Sequence, residues 1–313
     1  MKSSKIVLIG SGAVGSTFAY TLLLRGLVNE LVIIDANQDK AEGDVLDLNH
    51  GLMLAHPMKI TAGTYSDCAG ADIIVITAGA AQRPGETRID LMARNVAIFS
   101  SIIEQVTANT QDAILLIATN PVDILTQVAL KLSGWPKERV IGSGTLLDSA
   151  RFRYLIGERL GVDPRSVHGM IIGEHVDSEV PVWSSLSVAG VFPESSQEGT
   201  RWHLTEADKA EIYEETRGAA YKIISKKGAT YYAIALALAR ICEAIVKDQH
   251  SILPVSTYLE EYHGISGLCL GVPAIIGRSG VEELVPQPLS PQEEQALRVS
   301  AEKLKSFLAE IGF

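Results

Sequence analysis

Cysteine, positive charge and long apolar runs are all scarce in this chain of 313 residues. Its three cysteines, Cys68, Cys242 and Cys269, form no CxxC pair, which disfavours a disulfide framework or a cysteine zinc site and favours a reducing cytoplasm. The net charge of −10 disfavours a nucleic-acid partner, because phosphates are bound by a cationic face. No apolar run approaches the ~20 residues that cross a bilayer, so we expect no membrane association.

The first half of the chain alternates short apolar runs with helical patterns. The runs lie at Ile6–Ile9, Leu31–Ile34, Asp72–Thr77, Ile114–Ala118 and Val140–Ile141. The helical patterns lie near Val14–Arg25, Lys40–His50 and Arg94–Thr107. Continuous apolar runs are typical of strands buried on both faces of a parallel sheet. The order therefore predicts an α/β fold with an N-terminal Rossmann domain, a doubly wound parallel sheet.

The second half of the chain changes to a mixed pattern. Helices are predicted at Leu147–Leu160, Glu206–Ser225, Tyr231–Lys247 and Pro291–Ile311. Strands are predicted at Val167–Ile172, Ser251–Tyr258, Gly267–Leu270 and Ala274–Ile276. We therefore predict a first domain of residues 1–145 and a C-terminal α+β domain of residues 146–313. No flexible linker separates them, so the halves are expected to pack closely around a cleft.

A GxGxxG motif, Gly10-Ser11-Gly12-Ala13-Val14-Gly15, directly follows the first strand and begins an apolar helix. In this context the glycines allow a tight turn and close approach of a dinucleotide pyrophosphate to the helix N-terminus. Asp35 ends the second strand, where a carboxylate can bind a ribose 2′-hydroxyl and would repel a 2′-phosphate. The motif thus predicts NAD as the cofactor. The alternative is that the glycines serve packing and Asp35 is an ordinary loop residue.

Charged and titratable residues lie in compact motifs after this site. Histidine, here His175, titrates near neutrality and suits proton transfer, and a buried carboxylate beside it would favour its protonated form. Arginine binds a carboxylate through two parallel hydrogen bonds, and Asp148 and Arg151 can share one face of a helix. Arg88 lies in a loop with Gly and Pro, and Asn120 ends a strand. Taken singly, each could instead be a structural side chain, a helix ion pair, a solvated charge or a turn.

Taken in order, these motifs resemble the lactate/malate dehydrogenase family, specifically its lactate branch, from Lys5 to the C-terminal helix. The resemblance implies reversible hydride transfer between NADH and pyruvate. It implies that His175 is the proton donor and acceptor, with Asp148 as the carboxylate behind it. It also implies that Arg88 enters on a closing loop and polarises the substrate carbonyl.

The same resemblance implies the residues that hold the substrate and the nicotinamide. Arg151 would bind the substrate carboxylate, and Asn120 would hydrogen-bond near the carbonyl and the nicotinamide ribose. Thr230 would line the substrate pocket, and Ile234 would pack on the nicotinamide ring. A non-catalytic NAD-binding protein remains an alternative, but it predicts loss of a catalytic residue, and His175, Asp148, Arg88 and Arg151 are all present.

The choice between pyruvate and oxaloacetate depends on Gln82. Malate dehydrogenases place an arginine at the matching position, and a neutral amide would leave a second substrate carboxylate unpaired in a closed pocket. Arg83 would supply a cation if the loop register differed by one residue, so malate dehydrogenase stays an alternative, while Glu86 adds a charge that disfavours a dianion. Val176 replaces the glycine that usually follows the histidine, which leaves open a broader 2-hydroxy acid dehydrogenase for bulkier keto acids.

Two further residues, Arg153 and His168, match positions that bind fructose 1,6-bisphosphate in allosteric bacterial members of the family. The resemblance therefore implies an activator site, with a surface arginine and a strand-end histidine as the plain alternative. It also implies a homotetramer. The other histidines show no metal-ligand spacing, so we predict no metal; they are His50, His56, His203, His250 and His263.

Overall fold

In the computed structural model, which describes residues 4–80, 88–175 and 177–313 (the backbone alone at 88 and 89), the first half of the chain alternates strands and helices. The strands are β1 (Lys5–Ile9), β2 (Glu30–Ile34), β3 (Lys59–Ala62), β4 (Ile73–Ile76), β5 (Ile114–Ile117) and β6 (Val140–Gly142). The helices are α1 (Ala13–Arg25), α2 (Gln38–Gly51), α3 (Arg88–Asn109) and α4 (Val122–Ser133). Short 3₁₀ helices lie at Leu52–Leu54, Tyr65–Cys68 and Lys137–Arg139.

These six strands form a parallel sheet in the order β3-β2-β1-β4-β5-β6. Alternate residues of β1 point to opposite faces: Val7 and Ile9 join a core with α3 and α4, whereas Ile6 and Leu8 join a core with α1. Both faces are therefore buried, which explains the continuous apolar runs. The predicted doubly wound sheet is confirmed. The edge strand β3 was not predicted, because only Ile60 of its four residues is buried.

The second half adds helices to a mainly antiparallel extension of the sheet. The helices are α5 (Leu146–Leu160), α6 (Glu206–Lys227), α7 (Tyr232–Val246) and α8 (Pro291–Glu310). The strands are β7 (Val167–His168), β8 (Ile171–Gly173), β9 (Glu179–Pro181), β10 (Ser187–Val188), β11 (Ser251–Leu259), β12 (Leu268–Gly277) and β13 (Gly280–Leu284). Short 3₁₀ helices lie at Pro164–Ser166 and Pro193–Ser195.

Two strand predictions in this half are wrong. The runs expected as two strands, Gly267–Leu270 and Ala274–Ile276, are joined in the single strand β12, which continues through Pro273. Pro273 lies opposite Pro254 of β11, so the two missing N–H groups fall at one position of the ladder. The run expected as one strand from Val167 to Ile172 is divided, because β7 pairs with β10 while β8 pairs with β9 and β12.

The sheet continues across the predicted domain boundary. Ser256 of β11 pairs with Gly142 of β6, and α1 packs against α7. The division at residue 145 therefore remains a prediction about folding units within a continuous sheet. Among the residues described, no helix combines the length and the apolar character needed to span a membrane.

Candidate active site

The glycine loop between β1 and α1 combines close packing with one open position. Gly10 has φ +100°, and a Cβ on it would lie 2.5 Å from the Ala78 nitrogen. A Cβ on Gly15 would lie 2.0 Å from the Gly10 carbonyl oxygen. At Gly12, directly before α1, no described atom beyond its chain neighbours lies within 4 Å of the Cβ position. The loop therefore fits a pyrophosphate that approaches Gly12 and the free N–H groups at the start of α1.

Asp35, at the end of β2, is fixed next to this loop by two backbone hydrogen bonds. Its Oδ2 accepts from the Ser11 N–H at 2.6 Å, and its Oδ1 accepts from the Asn37 N–H at 2.8 Å. The Nζ of Lys40 lies 3.4 Å from the Ser11 Oγ. The carboxylate thus lies where this fold holds the adenosine ribose of a dinucleotide.

Asn95 connects the loops that follow β4 and β5, and sequence reasoning missed it. Its Oδ1 accepts from the Ala80 N–H at 2.8 Å, and its Nδ2 donates to the Asn120 carbonyl oxygen at 3.2 Å. Asn95 is 1% exposed and lies on the buried face of α3 with Met92 and Phe99. An amide among apolar positions of a helix was the available signal, since a buried amide needs hydrogen-bond partners.

His175 and Arg151 form one network around the buried carboxylate of Asp148. The His175 Nδ1 donates to Asp148 Oδ2 at 2.5 Å, and Arg151 Nη1 donates to Asp148 Oδ1 at 2.9 Å. Asp148 is 1% exposed in the first turn of α5. The adjacent β8 is attached to α5 because the Ser149 hydroxyl accepts from the Ile171 N–H at 2.9 Å. Both interpretations of the Asp148–Arg151 spacing therefore hold: the two form a helix ion pair, and the same carboxylate binds the histidine.

The electrostatics of this network favour a charged imidazole. Burial acts to lower the pKa of His175, but the Asp148 charge and hydrogen bond outweigh it and raise the pKa to about 9. For Asp148, burial acts to raise the pKa, yet His175 and Arg151 together hold it below its usual range. Because Nδ1 donates to a carboxylate, Nε2 is the ring atom left to exchange a proton with a substrate.

Asp123 is a second carboxylate at the histidine that sequence reasoning gave no role. Its Oδ2 accepts from the backbone N–H of His175 at 2.9 Å. This bond connects α4, which follows β5, to the histidine loop, the segment after β8 that contains His175. Asp123 is 3% exposed, and burial raises its pKa to about 6. Its presence in the Asn-Pro-Val-Asp segment was visible in the sequence, but its partner is a backbone group 52 positions away.

A cleft brings together Asn120 and His175. Its other lining residues come from α3, α4, α6, α8 and the histidine loop; they are Leu91, Met92, Pro121, Ile124, Glu174, Asp177, Ala220, Tyr221, Ile224 and Phe307. Arg151 lines a separate groove between α5 and α6. Its guanidinium is linked to His175 of the cleft because both side chains bind the Asp148 carboxylate. A guanidinium has several N–H donors, so the bond to Asp148 leaves donors for a substrate carboxylate.

The remaining predicted pocket residues flank the start of α7. Thr230 lies in the segment between α6 and α7 and is partly buried. Ile234, in the first turn of α7, is partly buried against the core that contains Ile6 and Leu8. Ile234 thus lies on the helix of the C-terminal half that packs against α1, and Thr230 lies two residues before that helix begins.

Several predicted residues lie outside the described part of the chain. Gln82, Arg83 and Glu86 fall in the segment 81–87, and Val176 is the single position omitted after His175. Arg88 is the first residue of α3, but the structure describes only its backbone and not its side chain. Their predicted contributions to carbonyl polarisation and substrate choice therefore stay predictions.

Arg153 and His168, the predicted activator residues, lie on the neighbouring elements α5 and β7. The Arg153 Nη2 donates to the Arg165 carbonyl oxygen at 3.4 Å, and its Nε is buried without a hydrogen-bond partner among the described residues. Burial lowers the pKa of Arg153. His168 is exposed and pairs with Ser187 of β10.

One side-chain cluster was not visible from sequence spacing. Asp248, His250 and Glu282 bring potential metal-binding atoms within 4.8 Å of one another. The His250 Nδ1 lies 2.6 Å from Glu282 Oε2, and Asp248 Oδ1 accepts from the Arg278 N–H at 2.8 Å. The His250 ring and the Asp248 carboxylate are thus already engaged in hydrogen bonds, and the expectation of no metal stays a prediction.

The fold and the site together define an NAD-dependent oxidoreductase. Residues 4–142 match the lactate/malate dehydrogenase NAD binding domain, and residues 145–312 match the alpha/beta C-terminal domain of the same family. The chain therefore belongs to the lactate/malate dehydrogenase family, which confirms the Rossmann fold and NAD as the cofactor.

Individual relatives match over nearly their full length. An L-lactate dehydrogenase of Acetivibrio thermocellus is 52% identical over 304 residues, which cover 97% of this chain and 96% of that protein. One from Halalkalibacterium halodurans is 53% identical over 313 residues, covering 99% and 98%. The crystal structure of minor L-lactate dehydrogenase from Enterococcus mundtii in the ligands-bound form gives a TM-score of 0.96 at 42% identity, covering 99% and 98%.

Proposed function

We propose that this protein is an L-lactate dehydrogenase that reversibly reduces pyruvate with NADH. The observation that carries the proposal is the contact of the buried Asp148 carboxylate with both His175 and Arg151. It joins a proton donor to a carboxylate-binding guanidinium through one shared anion. Relatives named L-lactate dehydrogenase, about half identical over nearly the whole chain, support the same activity.

Each residue of the network has a distinct role in this reaction. Arg151 binds the substrate carboxylate and orients the keto group towards the imidazole. The His175 Nε2 donates a proton to the carbonyl oxygen as charge develops there, and Asp148 stabilises the imidazolium that precedes this transfer. In the oxidation of L-lactate the neutral imidazole accepts the hydroxyl proton. Bound NADH supplies the hydride.

Residues of the surrounding loops complete the proposed site. Gly10, Gly12, Gly15 and Asp35 bind the pyrophosphate and the adenosine ribose, as their geometry permits. Asn120 contacts the substrate carbonyl and nicotinamide ribose at the mouth of the cleft.

Four more residues act on the substrate and the nicotinamide ring. Arg88 polarises the carbonyl when its loop closes, and the neutral side chain of Gln82 lies beside the methyl group of pyruvate. Thr230 lines the pocket beside them. Ile234 packs on the nicotinamide ring.

The test of this proposal is a panel of 2-keto acids assayed with NADH by the loss of its absorbance. Pyruvate is expected to give the highest kcat/KM, because Gln82 offers no charge to a second carboxylate. Oxaloacetate as the best substrate would show a malate dehydrogenase. Preference for a branched keto acid such as 2-ketoisocaproate would show that the pocket beside Val176 takes larger side chains. No turnover of any keto acid, with NADH bound, would show a non-catalytic protein.

The assembly and regulation of the protein are part of the same proposal. We propose a homotetramer, supported by apolar side chains that a lone chain leaves in water, with Met53 91% and Leu54 92% exposed. We propose that fructose 1,6-bisphosphate activates it by binding Arg153 and His168. These residues lie on neighbouring elements, and the Arg153 Nε has no hydrogen-bond partner among the described residues, which suits a phosphate group. A cytoplasmic location is supported by three free, buried cysteines.

A further inference from the structure

Glu179 is a buried acid beside the histidine network that the proposed mechanism does not use. It is the first residue of β9, and its backbone pairs with Gly173 at the end of β8, two positions before His175. Its carbonyl oxygen accepts from the Tyr213 hydroxyl of α6 at 2.8 Å. The residue is 3% exposed. Its position is thus fixed by strand pairing and by α6, independently of its carboxyl group.

The carboxyl group of Glu179 differs from the other two buried acids near the imidazole. Asp148 and Asp123 each accept a hydrogen bond from His175. Neither Oε1 nor Oε2 of Glu179 has a hydrogen-bond partner among the described residues. An ionised carboxylate without donors is costly to bury, so this group is expected to hold its proton near neutral pH.

The carboxyl group of Glu179 interacts electrostatically with His175 and Asp148, the two residues of the proposed proton transfer. Burial, followed by the charge of Asp148, raises the pKa of Glu179 to about 8, while nearby cations act in the opposite direction. Those cations are His175 of the same loop, Arg151 of α5 and Arg217 of α6. Arg217 is itself paired with Glu214, which weakens its effect on the buried acid.

The other elements packed against β9 add little charge. The neighbouring strand β8 contains only Ile171, Ile172 and Gly173, none of which titrates. The helix α8 also packs against β9, and its Lys303 is paired with Glu174 at 3.3 Å. Tyr213 of α6 is itself affected by Glu179, and burial together with that charge raises its pKa. Among the charges around Glu179, those of Asp148 and His175 therefore act on it most strongly.

We propose that Glu179 is a positioning residue for the proton transfer: a buried acid whose ionisation at alkaline pH stabilises the charged imidazole of His175. At neutral pH the group is uncharged and leaves the pair undisturbed. As the pH rises its proton passes to solvent, and the new negative charge opposes loss of the proton from His175. The inference rests on the proposed function for its kinetic test but not for its spectroscopic one.

The kinetic test compares Glu179→Gln with the wild type in both directions of the reaction. Gln has nearly the shape of a protonated Glu but cannot ionise. The alkaline limb of kcat/KM for pyruvate reduction should move to lower pH by roughly half to one unit, a loss of about three- to tenfold at high pH. Lactate oxidation needs the neutral imidazole, so its acid limb should move down equally and its rate near pH 8 should rise about three- to tenfold.

The variant is expected to slow pyruvate reduction and to speed lactate oxidation, and this opposite change in the two rates distinguishes an electrostatic role of Glu179 from a structural one. Damage to the site would lower both rates without moving either limb, and that result would overturn the proposal. Unmoved limbs with unchanged rates would overturn it as well. The matched control is Glu283→Gln, which removes an exposed carboxylate from β13 and should change neither limb.

A titration by nuclear magnetic resonance tests the inference without turnover, and its first measurement uses the wild-type protein alone. Above about pH 7, past the titration of Asp123, whose pKa is about 6, the imidazole signal of His175 in the wild-type protein should show two inflections, one for Glu179 and one for its own proton. In Glu179→Gln a single inflection at lower pH is expected. A single inflection in the wild type would contradict the inference. A protein that shows two inflections but no pyruvate reduction would instead contradict the proposed function alone.

Discussion

Replacing Asp148 by Asn tests the electrostatic basis of the proposed proton donor. The change keeps the size of the side chain but removes the charge that raises the pKa of His175 to about 9. Compared with an ordinary histidine near 6.5, that difference is worth about 3 kcal/mol in favour of the imidazolium. Without the carboxylate, burial becomes the dominant effect and the pKa is expected to fall to about 6.5 or lower.

The expected kinetic consequence follows from the protonated fraction. At about pH 7.5 the wild-type imidazole is almost fully charged, whereas at most about a tenth would be charged in Asp148→Asn. The kcat/KM for pyruvate should therefore fall at least about tenfold at that pH, and its alkaline limb should move down by about two units or more.

Stopped-flow and steady-state assays between about pH 5 and 10 would show both effects, and NADH titration by fluorescence should show unchanged affinity. Asp112→Asn, at a side chain 98% exposed, is the control and should behave as the wild type. An alkaline limb that stays in place in Asp148→Asn would refute the reasoning.

Three other outcomes are expected. Gln82→Arg should shift preference from pyruvate towards oxaloacetate by pairing its second carboxylate, and an unchanged ratio of kcat/KM values would mean that another loop residue meets that group. Gly15→Ala should lower the free energy of unfolding by about 1–3 kcal/mol, because its Cβ meets the Gly10 carbonyl. Gly12→Ala should leave stability unchanged and weaken NADH binding, so equal effects of the two variants in thermal melts would contradict this expectation. Fructose 1,6-bisphosphate should lower the apparent KM for pyruvate, an effect that Arg153→Ala should abolish; identical kinetics and sedimentation with and without it would exclude the activator site.

The parallel sheet was predictable because its signal is local. Residues such as Ile74 and Leu115 are buried on strands covered on both faces, so each run is apolar throughout. The continuity of β12 through Pro273 was not predictable, because it depends on Pro254 in a different strand. A short edge strand such as β3 carries too little buried surface to leave a pattern.

The contacts of the site were likewise predictable only where they follow from local sequence spacing. Asp148 and Arg151 are three positions apart on a helix, so their contact follows from helical geometry. The contact with His175 needed the family resemblance, because no local pattern links positions 148 and 175. Asp123 and Glu179 were missed because their importance comes from what burial does to a carboxyl group. Burial of a charged residue is a tertiary property that neither composition nor spacing reveals.

The central claim is that His175 and Arg151 act on one small keto acid beside the nicotinamide. A crystal structure of the protein with NADH and oxamate, an unreactive analogue of pyruvate, tests it most directly. The account predicts the His175 Nε2 within about 3 Å of the oxamate carbonyl oxygen and the Arg151 guanidinium bound to its carboxylate. Oxamate bound away from these two residues, or a nicotinamide C4 remote from the oxamate carbonyl carbon, would contradict it.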